Sequence, residues 1–217
     1  MSIIWTVDGD KSSWVEWASR MALSPPSNLV YALVSDFHSH NLSWALDLGC
    51  GTGRAFLPLY NNGFRVIGID PILSSTKFSL ERAKKENLLA VPVQATASQL
   101  PIQSHIVRLV LALGVLFHLS PTELDDALKE IYRVLETDGK AVLHFLDIDD
   151  WRRNLAGTVN AEDLPAPSYH AVVTCFCSQN LIQDKINSAC LKVEKSELRT
   201  SKDEQGERRE WIFYCGL

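Results

Sequence analysis

The sequence predicts one α/β domain built on a largely parallel sheet with helices on both faces, and three observations carry that prediction. From Ser43 to Leu146, short apolar runs alternate with amphipathic segments, the order of repeated strand–helix units. The runs are close to continuously hydrophobic, as strands buried on both faces require. The chain closes with two more runs around a polar, glycine-containing turn, which is a hairpin signal. At 217 residues the chain matches one such domain. That length buries roughly 70% of the unfolded surface and needs no disulfides to hold a core.

Residues 1–42 read as a helical segment or lid. Pro25 is placed to open a helix in which Leu29, Leu33 and Phe37 recur every fourth residue. Strands are expected at Ser43–Leu48, Arg65–Asp70, Leu89–Gln94, Ile106–Leu113 and Lys140–Leu146. Pro92 has no N–H to give a neighbour, so the third of these belongs at a sheet edge. Weaker helical patterns follow Gly53 and Ser74. The clearest helix starts at Ser120-Pro121-Thr122-Glu123, a capping box with proline at the first helical position. Leu124, Ala127, Leu128, Ile131 and Leu135 form its apolar stripe, and Gly139 is expected to supply a left-handed stop. The core thus spans 43–146. An irregular excursion follows over 147–177, polar from Asp147 to Ala171 and interrupted by Pro165 and Pro167. The final unit, 178–217, holds a short helix near Ser178–Asn187 and runs at Leu191–Arg199 and Arg208–Cys215. Gly206 supplies a turn position between them that tolerates positive φ.

Composition narrows the partners. Lys and Arg number 21 against 26 Asp and Glu, a formal charge of −5, and no basic run is present, so nucleic acid is not an expected partner. Six basic and six acidic residues between Lys192 and Glu210 cancel, which describes a solvated ribbon. No stretch approaches the ~20 apolar residues of a membrane helix. The longest, Ile106 to Leu119, is interrupted by Arg108 and His118. The first residues carry no basic and apolar leader, and Cys50, Cys175, Cys177, Cys190 and Cys215 form no paired framework. A cytoplasmic protein with reduced thiols is expected. Cys175 and Cys177 lack a second Cys or His pair at ligand spacing, so no metal is expected.

The chemistry concentrates in Trp44-Ala45-Leu46-Asp47-Leu48-Gly49-Cys50-Gly51-Thr52-Gly53-Arg54. A hydrophobic strand runs into three glycines at alternate positions, followed by a helical pattern. Such glycines let the backbone turn sharply and let a ligand press on main-chain atoms. The helix start behind them is expected to offer unpaired N–H groups to an anionic group. Asp70 follows Gly53 by seventeen residues and ends the second strand, where a carboxylate accepts two hydrogen bonds from a ribose diol. Together these features predict a nucleoside-bearing cofactor at the carboxyl edge of the sheet. The dinucleotide fingerprint requires glycine where Arg54 stands, which disfavours a nicotinamide-dependent oxidoreductase.

The D-x-G-x-G-x-G spacing from Asp47 to Gly53 instead resembles the first motif of class I S-adenosylmethionine (AdoMet)-dependent methyltransferases. The resemblance extends through Val66-Ile67-Gly68-Ile69-Asp70-Pro71, Leu100-Pro101, Leu109–Leu113 and Leu116-Phe117-His118-Leu119. It continues through Ile131–Leu135 and Gly139–Leu143. By pattern the chain is most similar to the small-molecule methyltransferases of the ubiquinone/menaquinone-biosynthesis type. The resemblance implies a Rossmann-like fold with a seven-stranded, mostly parallel sheet and an antiparallel C-terminal hairpin. It implies AdoMet, or S-adenosylhomocysteine as bound product, and a small-molecule methyl acceptor. Asp47, Gly49, Cys50, Gly51 and Gly53 would hold the methionine end and Asp70 the ribose hydroxyls. Pro71 and Ile72 would pack near the adenine, with Thr96 and Ala97 at its polar edge and Leu113 in the wall. The chain departs from the family at Thr96, where an acidic residue is usual, and at Arg108, which replaces an aspartate near the start of the fourth strand. Arg108 lies at the strand end away from ligands, so that change reads as structural. The alternative to an enzyme is a non-catalytic protein that binds AdoMet or S-adenosylhomocysteine.

Several residues carry two readings. His118 has a side chain suited to taking a proton from a nucleophile, or it caps or packs beneath the next helix. Asp147, Asp149 and Asp150 read as a solvated loop or a helix cap rather than a cation site. A cation site of the catechol-methyltransferase type also needs a carboxylate where Gly114-Val115-Leu116 stand. Trp5, Trp14 and Trp17 form a lid over an acceptor or pack a short helix on the sheet. Trp151, Arg152, Arg153 and Tyr169 are the other candidates for acceptor contacts, with entry between the N-terminal segment and residues 147–171.

Overall fold

The structure, a computed structural model, describes residues 3–8, 11–155, 158–159, 164 and 170–217. In chain order β1 (Ile3–Asp8) leads to α1 (Lys11–Met21), α2 (Asn28–Val34) and β2 (Trp44–Leu48). Then come α3 (Phe56–Asn61), β3 (Arg65–Asp70), α4 (Leu73–Lys85), β4 (Ala90–Gln94) and β5 (Val107–Ala112). A 3-10 turn (Leu116–His118), α5 (Pro121–Val134) and β6 (Leu135–Asp147) follow. A second 3-10 turn (Trp151–Asn154) precedes β7 (Thr158–Val159), β8 (Val172–Cys177), α6 (Gln179–Ser188), β9 (Lys192–Lys202) and β10 (Glu207–Gly216).

The main sheet runs β4-β3-β2-β5-β6-β10-β9. The first five strands are parallel, and β10 is antiparallel to both β6 and β9. This is the Rossmann-like arrangement with an antiparallel C-terminal hairpin. Alternate strand residues face opposite sides, and both sides are covered. Leu46, Leu48 and Val110 pack with Leu128 and Ile131 of α5 and Ile182 of α6. Ala45, Val66, Leu109 and Leu111 pack with Leu33 of α2 and Phe56 and Leu59 of α3. In α5 the stripe Leu124, Ala127, Leu128, Ile131 and Val134 is buried behind an intact capping box. Each large apolar side chain there contributes about 1.5–3 kcal/mol by burial. Pro92 sits on β4 at the sheet edge, opposite Gly68.

The sheet forks above β5. Pairing of β5 with β6 ends at Ala112↔Leu143, whereas β6 runs on to Asp147. There β8 pairs with it in parallel, Leu146↔Phe176 and Asp147↔Cys177, and carries β1 and then β7 antiparallel beyond it. The fork opens a space over the carboxyl ends of β2 and β5.

Four expectations are corrected. Residues 1–42 are not helical throughout, because Ile3–Asp8 pairs along the whole of β8. The second helix opens at Asn28 rather than Pro25, with the Ser27 hydroxyl accepting from the Val30 N–H at 3.3 Å, and it ends before Phe37. Gly139 is no helix stop: α5 ends at Val134, and Gly139 lies inside β6, within the irregularity between Val107↔Leu135 and Leu109↔Lys140. A Cβ there would stand 2.8 Å from the Glu136 carbonyl, so close backbone approach is what excludes a side chain. The 147–177 excursion ends in a buried strand, β8, whose pairing to a segment far away in sequence supplies what its local pattern lacks.

Of the acidic cluster, Asp149 is exposed as expected, but Asp147 and Asp150 are not solvated. Asp147 is 5% and Asp150 0% exposed. Asp147 accepts from Arg209 Nε at 3.0 Å and Trp211 Nε1 at 2.5 Å. Asp150 accepts from the Arg152 guanidinium, the Arg152 N–H and the Arg209 N–H. The N–H bond to Arg152 makes Asp150 the cap of the second 3-10 turn, so the helix-cap half of the expectation describes it. Buried carboxylates persist only when so paired. The cluster bolts the end of β6 to β10, and no group of three or more metal-ligating side chains occurs among the described residues.

Candidate active site

The loop after β2 is set by its own bonds. Gly49, Gly51 and Gly53 have φ of 71°, 52° and 74°, a region costly to residues with a Cβ. The N–H groups of Gly49 and Cys50 both donate to the Ile69 carbonyl, at 2.8 and 2.9 Å. The Gly51 N–H donates to Asp70 Oδ2 at 3.0 Å, and the Ile72 N–H to Asp70 Oδ1 at 2.9 Å. These three loop donors are spent inside the protein, so this part of the loop offers a ligand shape and the neighbouring carboxylates.

A cavity of about 330 Å³ opens over this loop in the fork of the sheet. Asp47, Gly49, Cys50, Gly51, Asp70, Pro71, Ile72, Thr96, Ala97, Leu113 and His118 all line it. Gly53 does not. It turns the chain into α3, and a Cβ there would meet Phe56 and Ser79 at 3.0 Å. Trp14 and Trp17 of α1 form part of the wall, whereas Trp151, Arg152 and Arg153 do not line it. Arg152 is held by Asp150 and Glu210, and Arg153 by the Ile148 carbonyl. Tyr169 and the Trp5 side chain lie outside the described residues.

Arg54 also lines the cavity, a residue that sequence reasoning used only against a dinucleotide. Its place directly after Gly53 was the available signal. Ser75, Val115 and Glu123 join it from helix and loop positions with no motif to mark them. The N-terminal segment is strapped over the site. Thr52 Oγ1 donates to the Met21 carbonyl at 3.2 Å, and Arg82 Nη2 donates to the carbonyls of Ala22 and Ser24, both at 2.8 Å.

Electrostatics separate the two aspartates. Burial pushes Asp47 up to about 7; the nearby Asp70 charge adds to this and Arg54 opposes it. Among the described residues no side chain or N–H hydrogen-bonds the Asp47 carboxylate. Asp70 is also raised by burial, but the Ile72 and Gly51 N–H groups and the Ser75 hydroxyl hold it back. Burial and the Arg82 charge lower the Arg54 guanidinium, which lies 5.6 Å over the Trp17 ring.

His118 is oriented by β8. Its Nδ1 lies 2.6 Å from the Val173 carbonyl, so Nδ1 carries the proton and Nε2 is the acceptor. Burial lowers its pKa to about 4, the Val173 bond opposing and the His144 and Arg152 charges assisting. The imidazole is thus neutral at physiological pH, and a base this weak keeps an abstracted proton poorly. Nitrogen NMR of the histidine rings is expected to show His118 as the Nδ1–H tautomer with no titration between pH 5.5 and 8. A midpoint near 6.5 in the folded protein contradicts this environment.

Residues 46–143 match the family model described as a methyltransferase domain, the stretch from β2 to β6 that supplies most of this cavity. Among solved structures, a SAM-dependent methyltransferase from Methanosarcina mazei is 16% identical, with a TM-score of 0.68 over 85% of this chain and 97% of that one. A Burkholderia thailandensis 1,6-didemethyltoxoflavin-N1-methyltransferase, with 1,6-didemethyltoxoflavin and S-adenosylhomocysteine bound, is 16% identical. Its TM-score is 0.66 over 94% of this chain and 85% of that one. The [4+2]-cyclase SpnF is 14% identical, with a TM-score of 0.70 over 97% and 96% of the two chains. At these identities the likeness establishes the fold, and the fold alone does not fix the reaction. No curated protein matches the sequence.

Proposed function

We propose that this AdoMet-dependent methyltransferase delivers its methyl group to a small-molecule acceptor lodged between α1 and the Leu116–His118 turn. The enzyme class and cofactor rest on the methyltransferase-domain match over residues 46–143. The observation that carries the site assignment is the pairing of Asp47, a buried carboxylate without a hydrogen-bond partner among the described residues, with Arg54 in one cavity that ends at Asp70. A carboxylate and a guanidinium side by side suit the ammonium and carboxylate of an amino acid, and Asp70 suits a ribose diol. Pro71, Ile72 and Ala97 offer apolar surface to an adenine, with the Thr96 hydroxyl at its edge and Leu113 behind.

The cofactor, when bound, supplies a methyl group on a sulfonium whose leaving group is a neutral thioether. The protein's task is then orientation and exclusion of water. Trp14 and Phe117 wall the acceptor side, and His118 Nε2 is left to accept a hydrogen bond from the acceptor's N–H or O–H. A single cavity of about 330 Å³ serving both ligands supports a small acceptor. The motif pattern supports a place beside the ubiquinone/menaquinone-type enzymes, and five free cysteines support a cytoplasmic setting. The weak basicity of His118 favours one rival, a non-catalytic AdoMet-binding protein; turnover of any acceptor excludes it.

Calorimetric titration with S-adenosylhomocysteine tests the assignment, and its pH dependence tests Asp47. Protonated Asp47 must ionise to pair with an ammonium, so affinity is present above pH 7 and falls about tenfold per unit below it. Titrations at pH 6 in buffers of different ionisation heat are expected to report about one proton released. Asp47→Asn should weaken binding and flatten the slope. A slope that persists in that variant assigns the titration elsewhere.

A further inference from the structure

The acceptor end of the cavity has a composition of its own. Trp14 comes from α1, Phe117 and His118 from the 3-10 turn, while Trp17 packs on Gly51 and Arg54 of the cofactor half. The Trp14 and His118 rings meet edge to face at 4.8 Å, and Phe117 lies 4.4 Å from His118 on the other side. Two of these rings are locked by one strand and the residue just before it. Trp14 Nε1 donates to the Ala171 carbonyl at 2.9 Å, and His118 Nδ1 to the Val173 carbonyl at 2.6 Å. Carbonyls two residues apart point the same way from a strand. Here they leave the margin of β8 that β1 does not cover, because β6 reaches only Phe176 and Cys177. The strand's unused acceptors thus fix both ring planes.

Those bonds have a chemical consequence. The indole and imidazole N–H groups are spent on backbone, so the rings present π surface and one neutral acceptor nitrogen rather than donors. The charged groups of the cavity are committed as well. Asp47, Asp70 and Arg54 belong to the cofactor half, and the Glu123 carboxylate accepts from the Ser120 N–H and hydroxyl at 3.0 and 2.7 Å. An aromatic compartment with no charge assigned to the acceptor recognises flat π systems, which gain from offset and edge contacts. It penalises anions, which would lose water without gaining a partner and face the Glu123 carboxylate.

We infer that the methyl acceptor is a flat, non-anionic aromatic or heteroaromatic molecule whose N–H or O–H points at His118 Nε2, with Trp14 and Phe117 as its specificity-determining walls. This rests on the methyltransferase reading above and names its substrate class.

The test uses the full chain saturated with S-adenosylhomocysteine and three probes of equal ring size: 2-naphthol, decahydro-2-naphthol and 2-naphthoate. Calorimetry is expected to show 2-naphthol binding about tenfold tighter than its saturated counterpart, from aromatic contacts on two sides. It should also exceed 2-naphthoate. Equal or reversed affinities overturn the inference while leaving the cofactor reading intact. Failure of the wild-type protein to bind S-adenosylhomocysteine overturns the cofactor reading and the inference with it. Trp14→Phe should keep the aromatic preference and Trp14→Ala reduce it, with thermal stabilisation by S-adenosylhomocysteine reporting that each variant is folded. Should Trp14→Ala fail to fold, the wild-type ratio and Trp14→Phe still decide.

Discussion

Asp70→Ala is expected to weaken S-adenosylhomocysteine binding by about 100-fold, two charge-assisted hydrogen bonds to a ribose diol accounting for a loss of that order. The carboxylate is 9% exposed and has two jobs. Each oxygen already accepts one backbone N–H, Gly51 on one side and Ile72 on the other, and the Ser75 hydroxyl takes a third position, from which a ligand hydroxyl can displace it. The same two bonds join the glycine loop to the start of α4. Alanine therefore also strands two N–H donors and should cost about 1–3 kcal/mol of stability. Asp70→Asn separates the jobs poorly: its amide has one oxygen, so its NH2 must face a backbone donor, and the loop distorts even though the size is kept. Calorimetry and thermal denaturation on the same samples read both losses. Binding within threefold of wild type in a folded Asp70→Ala protein would remove the ribose assignment.

The half of the site built on Asp70 was legible because it is local. Asp47, the glycine loop and Asp70 lie on two adjacent strands with short connections, and each apolar run announced its strand. The acceptor half was not legible for the opposite reason. The strand behind its rings is β8, paired to β1 across most of the chain's length, and nothing in Val172–Cys177 signals that Ile3–Asp8 will cover it. Trp14 and His118 were visible as residues but not as neighbours, since the two carbonyls that orient them belong to that strand and to the residue just before it. Asp147 and Asp150 misled for a similar reason: an acidic run reads as solvated until Arg152 and Arg209 are known to face it. Gly139 shows the converse, a true local signal overridden when β6 continued directly from α5 to pair with β5.

The N-terminal segment is where the two halves meet. Trp17 approaches Gly51 so closely that a Cβ on that glycine would stand 3.1 Å from its ring, and Thr52 and Arg82 hold the chain just beyond α1. The cofactor loop is thus a packing surface as well as a ligand surface.

The sharpest test of the loop as a packed element is Gly49→Ala. Its φ of 71° costs a residue with a Cβ roughly 1–2 kcal/mol. The new methyl would also lie 2.5 Å from Val115 Cβ, a branch-point atom that no rotamer change can withdraw. Relief requires moving the backbone after β5, which carries Phe117 and His118, and overpacking of this kind costs about 1–3 kcal/mol more. The expected sum, about 2–5 kcal/mol, lowers Tm by about 5–15 °C for a chain of this size and misplaces the wall of the acceptor compartment. Gly114→Ala supplies the control. Its φ is 73°, nearly the same, but its Cβ would meet nothing within 4 Å, so it should show the backbone cost alone. The difference in Tm between the two variants isolates the contact with Val115. Equal drops would mean that the loop and the strand-five turn are not pressed together, and that the cofactor and acceptor halves of the cavity move independently.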